Sequence, residues 1–174
     1  MDKELRARCE ARLRALELPE PFSAQAFCAL LAAQRGRPIL LQPVANRAGP
    51  WGLWVATAAT DYIFYEQETS PLHQEHIILH EACHILCAHR ATPIAEAELP
   101  RLLFPDLCPE MVQRVLQRTS YSTPDELEAE LLASLTLERV MRTGLVRPIS
   151  SDSQTTTLLG RLGASLETRT RESE

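Results

Sequence analysis

Along the first 35 residues, leucines and alanines recur at helical spacing with arginine and glutamate between them. That period marks amphipathic helices and predicts one over residues 3–17 and a second over 24–35. PEPF separates the two, Ser23 is placed to cap the second, and Gly36 is placed to end it. The period then shortens. PILLQPV (38–44), GLWVAT (52–57) and DYIFYEQ (61–67) are short, rich in β-formers and bounded by turn residues. They predict three strands of a small antiparallel sheet.

TSPLHQEHIILHEACHILCAHR follows at 69–90. Ser70 suits an N-cap and Pro71 the first helical position, so a helix is expected over 71–89. Its isoleucines, leucines and alanines cover most of the circumference, which predicts a helix buried in the middle of the domain. Residues 91–109 hold four prolines and read as irregular, with one short helix near 95–103. PEMVQRVLQR (109–118) reads as a further helix. In STPDELEAELLASLTLERVMRTG, Thr123 with Pro124 and Glu126 reads as a capping box that opens a long helix over 124–143, and Gly144 closes it. The fold class expected is therefore α+β. Residues 1–148 form one domain, and 149–174 a tail with a marginal helix and a frayed end.

Composition changes this picture little. The 174 residues are 45% hydrophobic and 24% charged, an ordinary globular balance. A net charge of -5 argues against a nucleic-acid groove, which needs a basic face. No stretch approaches the roughly 20 apolar residues of a membrane span. The charged N-terminus is unlike a secretory signal, so a cytoplasmic location is expected. Five scattered cysteines (9, 28, 83, 87 and 108) read as reduced, mostly buried thiols.

The chemistry lies in HEACH, residues 80–84. Four positions apart on a helix, His80 and His84 present both imidazoles to one ion. Zinc takes neutral imidazole nitrogens in a tetrahedral shell. Glu81, about 100° around the helix from His80, is placed to take a proton from zinc-activated water. Cys83 could crowd such a site. Cys87 is roughly 10 Å along the axis from His80, too far to share its ion. His73, His76 and His89 read as cleft-edge or surface residues.

A third ligand is expected from the helix at 124–143. With Glu126 assigned to the capping box and Glu130 to solvent, Glu128 remains, in the middle of an apolar stripe of leucines. A buried ionised carboxylate needs a cation. A zinc ion on His80 and His84 is the partner expected, an arginine the alternative. The expected set is His80, His84 and Glu128 with an open fourth position, the mark of a catalytic zinc. Tyr121, just before this helix, is the candidate oxyanion donor, with ordinary packing as the alternative.

HEACH and ELEAELLAS (126–134), in that order after three strands, resemble the ImmA/IrrE family of zinc metallopeptidases. Glu126, Glu128, Ala129, Leu132 and Ala133 carry the second motif, and the resemblance covers roughly residues 25–140. It implies a zincin-like core with Zn2+ as cofactor, Glu81 as general base and Glu128 as third ligand. The strand at 61–67 would be the sheet edge that receives an extended peptide. The implied activity is that of an endopeptidase acting on a regulatory protein, a repressor or antitoxin-like partner encoded nearby. The alternative is a non-catalytic, zinc-containing regulatory or toxin-component module acting by protein–protein contact. Cys83 where the family has glycine, Glu130 in place of Asn or Asp, and a long spacer are departures from the family pattern.

Overall fold

The computed structural model describes residues 3–45, 51–90 and 122–145. They form a mixed α+β fold of four helices and one three-stranded open sheet. Helices α1 (Lys3–Arg14) and α2 (Ala24–Arg35) come first. Strands β1 (Ile39–Val44), β2 (Gly52–Ala56) and β3 (Asp61–Glu66) follow, then α3 (Pro71–Leu86) and α4 (Thr123–Thr143). The expected elements at 95–103, 109–118 and 154–163 lie outside the described residues, as does the tail.

Local chemistry sets the helix ends. Ser23 caps α2 by accepting from the backbone N–H of Ala26 at 3.0 Å, and Gly36 closes it at a φ of 63°. Ser70 caps α3 by accepting from the N–H of His73, with Pro71 in the first turn. The α4 cap is Ser122, not Thr123: its hydroxyl accepts from the N–H of Asp125 at 3.3 Å. Ser122 with Asp125 thus takes the place assigned to Thr123 with Glu126, and the cap lies one residue earlier than the sequence suggested.

The sheet is mixed, which corrects the antiparallel expectation. Its order is β1-β3-β2, with β1 parallel to β3 and β2 antiparallel to β3. Two features of the sequence account for this order. β3 buries Asp61, Ile63, Phe64 and Glu66, so it takes the centre. β1 contains Pro43, which has no N–H for a second neighbour and suits an edge. The chain leaves β1, runs out through β2 and returns as β3, so the excursion through β2 supplies the crossover that a parallel pair requires. The strand at 61–67 is therefore not a sheet edge; the edges are β1 and β2.

Helix α3 is the hub, packing against α2, α4, β2 and β3, while α1 packs on α4. The core gathers Phe27, Leu31, Trp54, Ile63, Leu79, Ala82, Ile85 and Leu132, with Cys9, Cys28 and Cys83 among them. These thiols and Cys87 are free and buried. Small residues of α4 (Ala129, Ala133) meet Ala82 and Cys83 of α3, all fully buried, which lets the two helices approach closely. Glu75 of α3 braces α2 by accepting from the N–H of Ala24 at 2.6 Å, a carboxylate at a helix N-terminus. Among the described residues no helix is long and apolar enough to cross a membrane.

Candidate metal centre

His80 and His84 project from adjacent turns of α3, their ring centroids 4.8 Å apart and their Nε2 atoms 3.1 Å apart. Glu126 reaches them from the first turn of α4. Its Oε2 lies 3.3 Å from Nε2 of His80 and its Oε1 3.6 Å from Nε2 of His84. Ligand atoms held at roughly 2.0–2.1 Å from a tetrahedral ion stand about 3.3–3.4 Å from one another. The triangle of two imidazole nitrogens and one carboxylate has that size.

The ring nitrogens on the far side of each imidazole are also engaged. His80 Nδ1 faces Oε2 of Glu130 at 3.3 Å, and the same oxygen lies 3.5 Å from Nε2 of His76. His84 Nδ1 faces Nδ1 of His89 at 2.9 Å. With Nδ1 occupied in this way, each Nε2 is left to point into the triangle. His84 is also held neutral: burial, then the rings of His80 and His89, push its pKa down to about 3. A neutral imidazole is the form that binds metal.

Glu81 is buried on the adjoining face of α3. Its carboxylate lies against the start of β2: a Cβ added at Gly52 would stand 2.6 Å from Oε1 of Glu81. The triangle has an open side. His84 is fully covered and His80 is 18% exposed, while Glu126 is 44% exposed.

The structure brings together His80 and His84 as expected, but it puts Glu126, not Glu128, beside them. Glu128 faces the other way, toward α1. Its Oε2 lies 3.5 Å from Arg8 and its Oε1 3.7 Å from Arg12. That Oε1 is buried without a hydrogen bond, so the Arg12 contact is one of charge alone. Of the leucines expected around Glu128, Leu132 and Leu135 are buried and Leu127 is exposed, and the cation that meets the carboxylate is a pair of arginines. The one-residue shift of the cap explains the exchange, since with Asp125 in the capping box Glu126 is free to reach the imidazoles.

His89 was expected at a cleft edge or the surface; the residue is partly buried and its side chain is 7% exposed. Helix α3 ends at Leu86 rather than at 89, because Ala88 turns left-handed at a φ of 56°. That turn swings His89 back over the end of the helix, where its N–H donates to the carbonyl of His84 at 3.1 Å. His89, Cys87 and Glu128 form a second group whose ligand atoms lie within 4.8 Å of one another. Burial raises the Cys87 thiol to about 12 and Cys83 well above its usual value, so both are protonated, apolar fillers. Tyr121 lies outside the described residues. Comparisons with protein-family models, with curated proteins and with solved structures return no match for this chain.

Proposed function

We propose that this chain is a zinc-dependent metallopeptidase whose metal is held by His80, His84 and Glu126 and whose general base is Glu81. The observation that carries the reading is the triangle itself: two Nε2 atoms and a carboxylate spaced at 3.1, 3.3 and 3.6 Å. Two histidines and one acid with a free fourth position are a catalytic zinc donor set. The core around α3 is then zincin-like, with the histidines on one helix, the acid on a second, and a sheet edge alongside. The resemblance of HEACH and ELEAELLAS to the ImmA/IrrE metallopeptidases supports the same chemistry.

When bound, zinc supplies Lewis acidity, polarising a carbonyl oxygen and acidifying water. The chain's own residues do the rest. Glu81 takes the proton from the attacking water and delivers it to the leaving amine. Burial beside Gly52 fixes its carboxylate at the foot of β2. That strand is an edge of the described sheet, with β3 on its inner side only. An extended peptide paired along β2 by strand addition would pass the base. The substrate class is a regulatory protein such as a repressor or antitoxin-like partner.

The test uses metal-free protein titrated with zinc and then mixed with fluorescein-labelled casein and, separately, with the product of the adjacent gene. One zinc per chain and cleavage lost in E81Q, with zinc content unchanged, support the enzyme. Full zinc occupancy with no cleavage of either probe, or cleavage that persists in E81Q, overturns it in favour of a non-catalytic zinc module.

A further inference from the structure

The second cluster, Cys87, His89 and Glu128, meets the first at His84: Nδ1 of His89 lies 2.9 Å from Nδ1 of His84, and the His89 N–H donates to the His84 carbonyl at 3.1 Å. Two ring nitrogens that meet at this distance share one proton. If His84 gives its Nε2 to a metal, its own proton must sit on Nδ1 and point at His89. His89 must then accept through a bare Nδ1 and carry its proton on Nε2. The surrounding charge favours that tautomer, from beyond hydrogen-bond distance. Glu128 Oε2 and Asp125 Oδ1 stand 3.6 and 3.7 Å from His89 Nε2, and two carboxylates draw the proton to that side.

We infer that His89 is a positioning residue for the metal centre: it accepts from His84 Nδ1–H and so fixes the ring whose Nε2 binds the ion. This rests on the metal-site reading above. The support continues outward. Glu128, which holds the Nε2 side of His89, is itself held by Arg8 and Arg12 of α1. Arg12 also reaches the carbonyl of Leu86, at the end of α3, at 3.4 Å. Helix α1 thus contributes to the metal centre without touching it, through Glu128 and then His89. The left-handed Ala88 fits this role, because a non-glycine residue at a φ of 56° is unfavourable unless the surroundings hold it. Here it brings His89 back to His84.

The same geometry excludes a second ion on the second cluster while the first is filled. A metal on His89 Nε2 would force its proton onto Nδ1, and two N–H groups would then collide across 2.9 Å. A metal on His89 Nδ1 would take away the acceptor of His84. The arginines beside Glu128 already neutralise its charge and oppose a further cation.

The experiment is a zinc titration of metal-free full-length protein against a chromophoric chelator, for wild type, H89L and H89N. Asparagine retains an acceptor near the Nδ1 position and leucine does not. Expected are one zinc per chain throughout, affinity weakened 10- to 100-fold in H89L, and most of that loss restored in H89N. Imidazole 15N spectra of zinc-loaded wild type, which need no variant to fold, should show the proton of His84 on Nδ1 and that of His89 on Nε2. Equal affinity in wild type and H89L, the opposite tautomers, or two zincs per wild-type chain falling to one in H89L overturns the inference while leaving the first site standing. Wild type that binds no zinc overturns the metal reading itself, and this inference with it.

Discussion

The α-carbon of Gly52, at the start of β2, is packed so closely on Glu81 that an added Cβ would lie 2.6 Å from its Oε1. The same Cβ would stand 2.7 Å from Cγ2 of Ile77 and 2.9 Å from Cγ of Glu81, so a turn of the carboxylate alone does not relieve it. The glycine is needed here for space. G52A should displace the proposed general base while leaving the three proposed metal ligands in place. Overpacking of this kind costs about 1–3 kcal/mol. A misplaced general base loses part of a contribution worth roughly 10²–10⁴-fold. The expected result is peptidase activity down by about tenfold or more at unchanged zinc content. Full activity in G52A would remove Glu81 from the role assigned to it.

Glu126 and Glu128 stand two positions apart on α4 and face different charges, so their variants should separate cleanly. E126A removes one of three ligands and should weaken zinc binding by about 100-fold or more; loss of an outer contact alone costs 10- to 100-fold. E128Q keeps all three ligands and should retain one zinc per chain. Its effect on folding is small, because Arg8 and Arg12 are half exposed and such pairs contribute about 0.2–1 kcal/mol each. A zinc titration of the two variants side by side decides. Loss of zinc in E128Q with retention in E126A would restore the assignment that the sequence pattern first suggested.

Much of this is legible in the sequence itself. The period of the hydrophobic residues located every described helix and strand, and the caps at Ser23 and Ser70 act where they stand. Two kinds of information were missing. One was the sheet order, because three short strands in sequence do not say which will be central; the burial of β3 and the proline in β1 decide that only once the faces are known. The other was helix register at the α4 cap. Ser122 and Thr123 are adjacent and both are competent caps, and the choice between them decides which glutamate is left over. His89 was invisible for a related reason. Five residues after His84 is the wrong spacing for one helix face, and only the left-handed turn at Ala88 brings the two rings together. An alanine carries no sequence signal for such a turn.

Asp61 ties the sheet to α2 and should be the most sensitive charged position outside the metal centre. It is fully buried at the start of β3. Its carboxylate meets the indole N–H of Trp54 at 3.1 Å, Arg35 at 3.2 Å and Arg37 at 3.3 Å. Arg37 continues to the carbonyls of Thr57 and Thr60, which close the turn between β2 and β3. D61A leaves the Trp54 indole and one N–H of Arg35 without their acceptor, and removes the opposite charge beside Arg37, whose Nε has no hydrogen-bond partner. Breaking a buried pair from one side costs about 3–5 kcal/mol; the partly exposed arginines reduce this to roughly 2–4. Urea unfolding of metal-free protein should show that loss with an unchanged denaturant slope. A shift under 1 kcal/mol would mean that the turn stands without its carboxylate.

Acid should act on the metal-free fold through His84, and the sign follows from the direction of its pKa. Burial and the neighbouring rings lower it from an ordinary 6.5 to about 3. Between those values the unfolded chain takes up a proton at this ring and the folded chain does not. Unfolding is then favoured progressively as pH falls through that window, by up to about 1.4 kcal/mol per pH unit. Well above pH 6.5 the ring is neutral in both states and contributes no slope. Carboxylates also titrate in the lower part of the range, so the comparison needs H84Q, which lacks the group but fills similar space. Wild type should lose roughly 2–3 kcal/mol more than H84Q between pH 7 and 4.5. Bound zinc competes for the same lone pair and should move the acid transition of wild type downward. Parallel pH profiles for wild type and H84Q without metal would mean that the ring titrates alike in the folded and unfolded chain, so that burial does not hold it neutral.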